Sequence, residues 1–101
     1  MKLKHQSARR PLSELRSLGP TSAAALADVG IHDRATLQRH GVQGAFALLR
    51  AQFGKRITVN WMYALDCALR DIPWQLLETT RKAELKADAK RVIAELDGKH
   101  E

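Results

Sequence analysis

One stretch of the chain combines residue types and spacing suited to contact with an anion. It runs from Leu15 to Ile31, LRSLGPTSAAALADVGI, where a Gly19-Pro20 corner leads through Thr21 and Ser22 into an alanine-rich helix. The first N–H groups of a helix have no partner within it, and the helix start carries partial positive charge. Such a corner can therefore offer donors to a phosphate. The same small residues equally let two helices approach closely, so a pure packing role stands beside the phosphate reading. Basic residues would add charge: Lys2, Lys4, Arg9 and Arg10 near the N-terminus, and Lys55 and Arg56 in a short turn. With Gly19, Thr21 and Ser22 these make up the candidate nucleic-acid-binding residues.

Other chemistry finds little support. The four histidines, His5, His32, His40 and His100, are scattered, and none has a cysteine or carboxylate at metal-ligand spacing. Asp28 and His32 are separated by Gly30 and do not share a continuous helical face. Cys67 reads as a small apolar residue of the interior rather than a nucleophile, which would need a histidine beside it in space. Asp66 and Asp71 do not form a convincing acid–base pair, and Asp71 reads as a helix cap. No Walker loop, nucleophile elbow or dinucleotide fingerprint is present. The expectation is a protein that is not an enzyme and needs neither cofactor nor metal.

Length and composition bound the elements that must position these residues. A chain of 101 residues that is 45% hydrophobic suits one domain with one modest core. No apolar run of about 18 residues exists to cross a membrane as a helix. The basic N-terminus has no apolar stretch of a signal peptide. A lone cysteine suits the reducing cytoplasm, the expected location. The net charge is +6. Residues 1–16 carry five basic groups and one acidic, residues 17–80 six and five, and residues 81–101 six and five. The excess is thus mostly a property of the N-terminus, and a basic arm on a balanced body argues less for nucleic acid than a uniformly basic domain would.

Hydrophobic periodicity predicts an all-α fold: a compact bundle of about six helices, several of them short, with a long C-terminal helix. Residues 1–10 read as a basic flexible arm, 11–97 as the single domain and 98–101 as a frayed tail. A first helix begins at Pro11, with Leu12, Leu15 and Leu18 inward. The second follows Gly19 as N-cap and Pro20 at the first helical position, and Gly30 stops it. Asp33 caps a short third helix, which Gly41 ends. Val42, Ala45, Phe46, Leu49 and Phe53 form the apolar face of a fourth, where Gly44 is a local cost that close packing would offset. After the turn Gly54–Ile57, a fifth helix carries Trp61, Leu65, Ala68 and Ile72 on one stripe. It has the widest apolar face and is the expected centre of the core. Pro73-Trp74 marks a restart, and a last helix runs from about Thr80 to Leu96 with Lys82, Lys86 and Lys90 on a separate, solvated face.

Two resemblances rest on quoted residues. LGPTSAAAL, residues 18–26, is similar to the second half of a helix-hairpin-helix motif, in which backbone amides meet a DNA phosphate without reading bases. Ser17 stands where an earlier hairpin glycine would fall, and Thr21 where a basic residue often follows the proline, so the resemblance implies the hairpin shape with reduced phosphate affinity. More widely, L-x-x-LGP-x-SA, the VGI turn with a following acid, LLR, N-x-x-x-ALDCALR and PW-x-x-L occur in the order found in the C-terminal domain of the TfoX/Sxy family. The chain is similar to that domain on its own, without the N-terminal α/β domain of longer members. Those members are associated with regulating bacterial competence as co-activators alongside the cyclic-AMP receptor protein. The resemblance implies a small helical domain with a non-enzymatic regulatory role. Two partner classes follow: DNA, touched weakly at its phosphates, or another regulatory protein or a second copy of the chain.

Overall fold

The computed structural model describes residues 18–98. The basic arm with Lys2, Lys4, Arg9 and Arg10, the helix expected from Pro11, and the last three residues of the tail lie outside them. Among the described residues there are four α-helices and no strand: α1 (Pro20–Asp28), α2 (Arg34–Phe53), α3 (Val59–Arg70) and α4 (Thr79–Gly98). Two three-residue 3-10 turns, Gly54–Arg56 and Trp74–Leu76, join α2 to α3 and α3 to α4.

Local chemistry accounts for most of the boundaries. Gly19 is the N-cap of α1, with Pro20 first in the helix, where a missing N–H costs nothing. At the other end the Ile31 N–H donates to the Leu26 carbonyl at 2.9 Å and the Gly30 N–H to the Ala27 carbonyl at 3.0 Å. This pair of bonds needs the left-handed backbone that Gly30 supplies at φ 88°. The closure folds Ile31 back into the core beside Leu26, and both are fully buried. Asp33 caps α2, its carboxylate accepting the Thr36 N–H at 2.8 Å. That bond holds the Asp33 carboxyl below its ordinary 3.8. The end of α3 repeats the α1 closure without glycine: Asp71 takes the left-handed conformation at φ 56°, and the Ile72 N–H reaches the Cys67 carbonyl at 3.0 Å.

The described region holds four helices where the sequence predicts five. The helix expected to end at Gly41 and the one expected to begin at Val42 are a single element, α2, kinked at Gly41. Only Gly41 leaves helical geometry, at φ 76° and ψ 169°, a region open essentially to glycine. Leu37 on one side of the kink and Ala45, Phe46 and Leu49 on the other bury into the same core, so the chain resumes its helix at once without a loop. The restart at Pro73 is one 3-10 turn only. Gly44 has no close neighbour to justify it: an added Cβ would meet only the His40 Cβ, at an ordinary 3.6 Å.

Helix α3 packs against both α2 and α4 and buries more residues than any other helix among those described. Five consecutive residues, Ala64 to Ala68, are buried. The buried band is therefore wider than the stripe read from the sequence. Cys67, off that stripe, is fully enclosed, while Trp61, on it, is only half-buried.

The band includes one charge. Asp66 is 3% exposed and accepts from two arginines. Arg81 of α4 donates through Nη2 at 2.8 Å and Nε at 3.3 Å to Oδ1, and Arg70 donates through Nη1 at 3.3 Å to Oδ2. Arg70 also grips Glu78 with two bonds of 3.1 and 3.2 Å, and Arg81 holds Glu84 at 3.0 Å. Glu78 and Asp66 raise the Arg70 guanidinium, and Asp66 followed by Glu84 raises that of Arg81. Arg70 in turn lowers the Glu78 carboxyl from its ordinary 4.5. The network fixes α4 against α3 and closes the turn between them.

Three outcomes follow for urea unfolding. Gly41→Ala should lower stability by about 1–3 kcal/mol through its backbone conformation, while Gly44→Ala should raise it by about 0.5–1 kcal/mol through helix propensity; equal signs for the two would refute the kink geometry. Asp66→Ala should cost about 2–3 kcal/mol, because it leaves two arginines facing a void in the core; an unshifted midpoint would show the network to be idle. A carboxyl whose folded value is depressed contributes stability above its unfolded value and loses it as the pH falls through the folded one. Between about pH 7 and about pH 3, Glu78→Gln should therefore lose less stability than the unsubstituted chain. An identical loss in both would remove Glu78 from the account.

Candidate functional site

The structure places Gly19, Thr21 and Ser22 at the start of α1, as the sequence predicts, with Gly19 and Thr21 exposed and Ser22 half-buried. Lys55 and Arg56 are exposed in the 3-10 turn before α3, and neither is in an ion pair among the described residues. That turn is firmly held. Ile57 is buried directly after it, its N–H donates to the Gly54 carbonyl at 3.0 Å, and its carbonyl accepts from Arg50 Nη1 at 3.0 Å. Lys2, Lys4, Arg9 and Arg10 lie outside the described residues.

Of the predicted set, Ser22 lines a cleft, and Lys55 and Arg56 do not. A shallow cleft of about 250 Å³ is lined by Ser22 from the first turn of α1, by Thr58, Asn60, Trp61 and Ala64 from the start of α3, and by Trp74 from the second 3-10 turn. Two helix starts therefore open on one space. Neither N-cap, Gly19 or Thr58, makes a side-chain capping bond. The first N–H groups of both helices are of the kind that seek an outside acceptor. The lining carries hydroxyls, an amide and two indoles and no carboxylate. The Lys55–Arg56 turn ends two residues before Thr58. Gly19 and Thr21 precede Ser22 in sequence but do not line the cleft.

Sequence reasoning missed the aromatic side of this site. Trp61 reads as core and Trp74 as a cover over the core, yet Trp74 remains 39% exposed. Its ring is braced edge-on by Tyr63, with centroids 6.1 Å apart and planes at 88°. Leu76 beside it is 62% exposed. The usable signal was the left-handed cap at Asp71 followed by Pro73, which turns the chain away from α3 before Trp74.

A second cleft, of about 270 Å³, lies at the α2 kink between His40, Gln43, Arg81 and Asp88. Its polar groups largely satisfy one another: Gln43 donates to Asp88 at 3.0 Å and accepts from Arg91 at 2.8 Å, and Arg91 pairs with Asp88 at 3.1 Å. Among the described residues no group of three His, Cys, Asp or Glu side chains is placed to hold a metal ion, and no helix is long and apolar enough to cross a membrane.

Comparison with known proteins agrees with the architecture. The chain resembles the crystal structure of an uncharacterized protein from Listeria monocytogenes, with a TM-score of 0.71 and 30% sequence identity, over 75% of this chain and 85% of that one. No curated protein matches it. The family model of the TfoX C-terminal domain matches residues 8–89, a span that takes in the Gly19 corner, the Lys55–Arg56 turn, both tryptophans and the Asp66 network. The chain belongs to the TfoX C-terminal domain family.

Proposed function

We propose that the chain is a non-enzymatic, cytoplasmic regulatory module that acts in transcription or DNA-uptake control through weak, sequence-independent contact with DNA phosphates. The observation that carries this reading is the convergence of the α1 and α3 starts on one carboxylate-free cleft, with the exposed Lys55 and Arg56 on the turn that ends two residues before Thr58. Backbone N–H groups and small hydroxyls suit a phosphate oxygen and carry no base information. The site is short of charge for a tight complex. Arg70, Arg81 and Arg91 are already paired with carboxylates, whereas Lys55 and Arg56, on the turn just before Thr58, are in no ion pair among the described residues. The affinity is therefore low, and Lys2, Lys4, Arg9 and Arg10 add to it from the N-terminal side.

A second reading is favoured by one observation. Trp74 and Leu76 form an exposed apolar pair on the α3–α4 connection, which suits a protein surface or a second copy of the chain.

A gel-shift or anisotropy titration against duplex DNA separates the two. Affinity should fall steeply between roughly 50 and 200 mM salt, and Lys55→Ala/Arg56→Ala should weaken binding and reduce the log–log salt slope by about 2. Absence of binding at tens of micromolar protein in low salt would overturn the DNA reading. Concentration-dependent light scattering, with loss of the association in Leu76→Ser, would then establish the second.

A further inference from the structure

We infer that the cleft between Ser22, Thr58 and Trp74 is a binding site for a single-stranded nucleic acid, with one unpaired base stacked on the Trp74 indole and its adjoining phosphate turned toward Lys55 and Arg56. The inference rests on the proposed contact with nucleic acid and names the form of it that the site selects.

Trp74 sits in the 3-10 turn that connects α3 to α4. A large apolar ring left 39% exposed forgoes burial that the core could have supplied, and this one is not loose. Tyr63 meets it edge to face, and the turn carrying it is closed by the Leu76 N–H to the Pro73 carbonyl at 3.0 Å and the Leu77 N–H to the Trp74 carbonyl at 3.1 Å. Leu77 is buried and anchors the end of the turn. The indole is thus a preset platform, which lowers the ordering cost of stacking a ligand on it. Trp61 lines the same cleft, so its lining combines two indoles with the polar groups of Ser22, Thr58 and Asn60.

A planar group with an attached anion is the ligand that uses all of these features. Bases stack on aromatic rings whatever their sequence, and nearby cations track the backbone, the combination by which single strands are held. In a duplex the bases are stacked on each other and their faces are hidden, so Trp74 would be unused there. A protein segment is less well matched to the cleft, because its polar lining and the Lys55–Arg56 turn favour an anionic ligand over an apolar anchor.

The test uses the whole chain with an oligothymidylate of about ten nucleotides and a duplex of the same length, read by quenching of tryptophan fluorescence and by anisotropy. The single strand should bind about tenfold more tightly than the duplex and quench the emission, and Trp74→Ala should collapse that preference toward unity. Trp74→Phe, which keeps a stacking face and the Tyr63 contact, should retain most of it. Thermal melts of both variants guard against a folding defect, and should the Ala variant unfold, Trp74→Leu, which keeps apolar bulk without a stacking face, takes its place and should likewise lose the preference. Equal affinity for the two forms, or a preference untouched by both substitutions, would overturn this inference while leaving the proposed duplex contact standing. Binding of neither form would overturn both, and would pass the exposed Trp74–Leu76 pair to a protein partner.

Discussion

The structure depends on a carboxylate placed where a methyl group would ordinarily be. Asp66 sits in the middle of the helix that buries the most residues, between α2 and α4, and it survives there because two guanidinium groups reach it from solvent. Each arginine is itself held by a second carboxylate at the surface, Glu78 for Arg70 and Glu84 for Arg81. The arrangement is therefore a relay from bulk water into the core. It orients α4 on α3 by hydrogen-bond geometry rather than by apolar area alone, and a directional tie of this kind excludes the sliding of one helix along another that alanine-rich surfaces would otherwise tolerate.

That tie also explains why the cleft is where it is. Arg70 ends α3 and Glu78 immediately precedes α4, so their two bonds close the connection into a fixed loop. Trp74 rides on that loop, displaced from the core by the left-handed backbone at Asp71 and the extended Pro73. From α2, Arg34 donates to the Leu69 carbonyl at 2.7 Å and Arg50 to that of Ile57 at 3.0 Å. In this way α2 supplies side-chain donors to backbone at both ends of α3. The arginines of this domain serve mostly as internal fasteners, and its formal charge overstates what is available to a polyanion.

Much of the fold was legible because short-range rules decide it. Gly19-Pro20, Gly30, Asp33 and Gly54 mark boundaries through backbone geometry that needs no tertiary context, and the apolar spacing in Val42–Phe53 and Leu85–Leu96 named the inward faces. Gly41 misled for an instructive reason. A glycine with positive φ ends a helix only if the following residues have somewhere else to go, and here the same core reclaims them within one residue. Asp66 was illegible because Arg81, its shorter-bonded partner, lies fifteen residues along the chain, and the i, i+4 spacing to Arg70 does not say whether a charge in an apolar helix is solvated. The half of the site built from Ser22, Lys55 and Arg56 could be proposed from residue type. The half built from Trp61 and Trp74 could not, since an aromatic in an amphipathic pattern reads as core until the connection that redirects it is seen.

The contrast between the ties on the two sides of the cleft bears on how the molecule opens. The Asp66–Arg81 clamp closes a short loop, whereas α2 is joined to α3 and α4 by contacts spanning 35, 45 and 48 residues, at Arg34–Leu69, Gln43–Asp88 and Gln43–Arg91. Long closures carry more chain entropy and give way with less of the remaining structure. Ser22 belongs to the far end of that long-range half, and Trp74 to the short-range one. The cleft therefore lies along the seam between these two sets of ties, where loss of α1 would remove Ser22 and leave Trp74 on its own closed turn. A ligand bridging the seam would register first as slowed amide exchange in α1, far along the chain from the ring it stacks on.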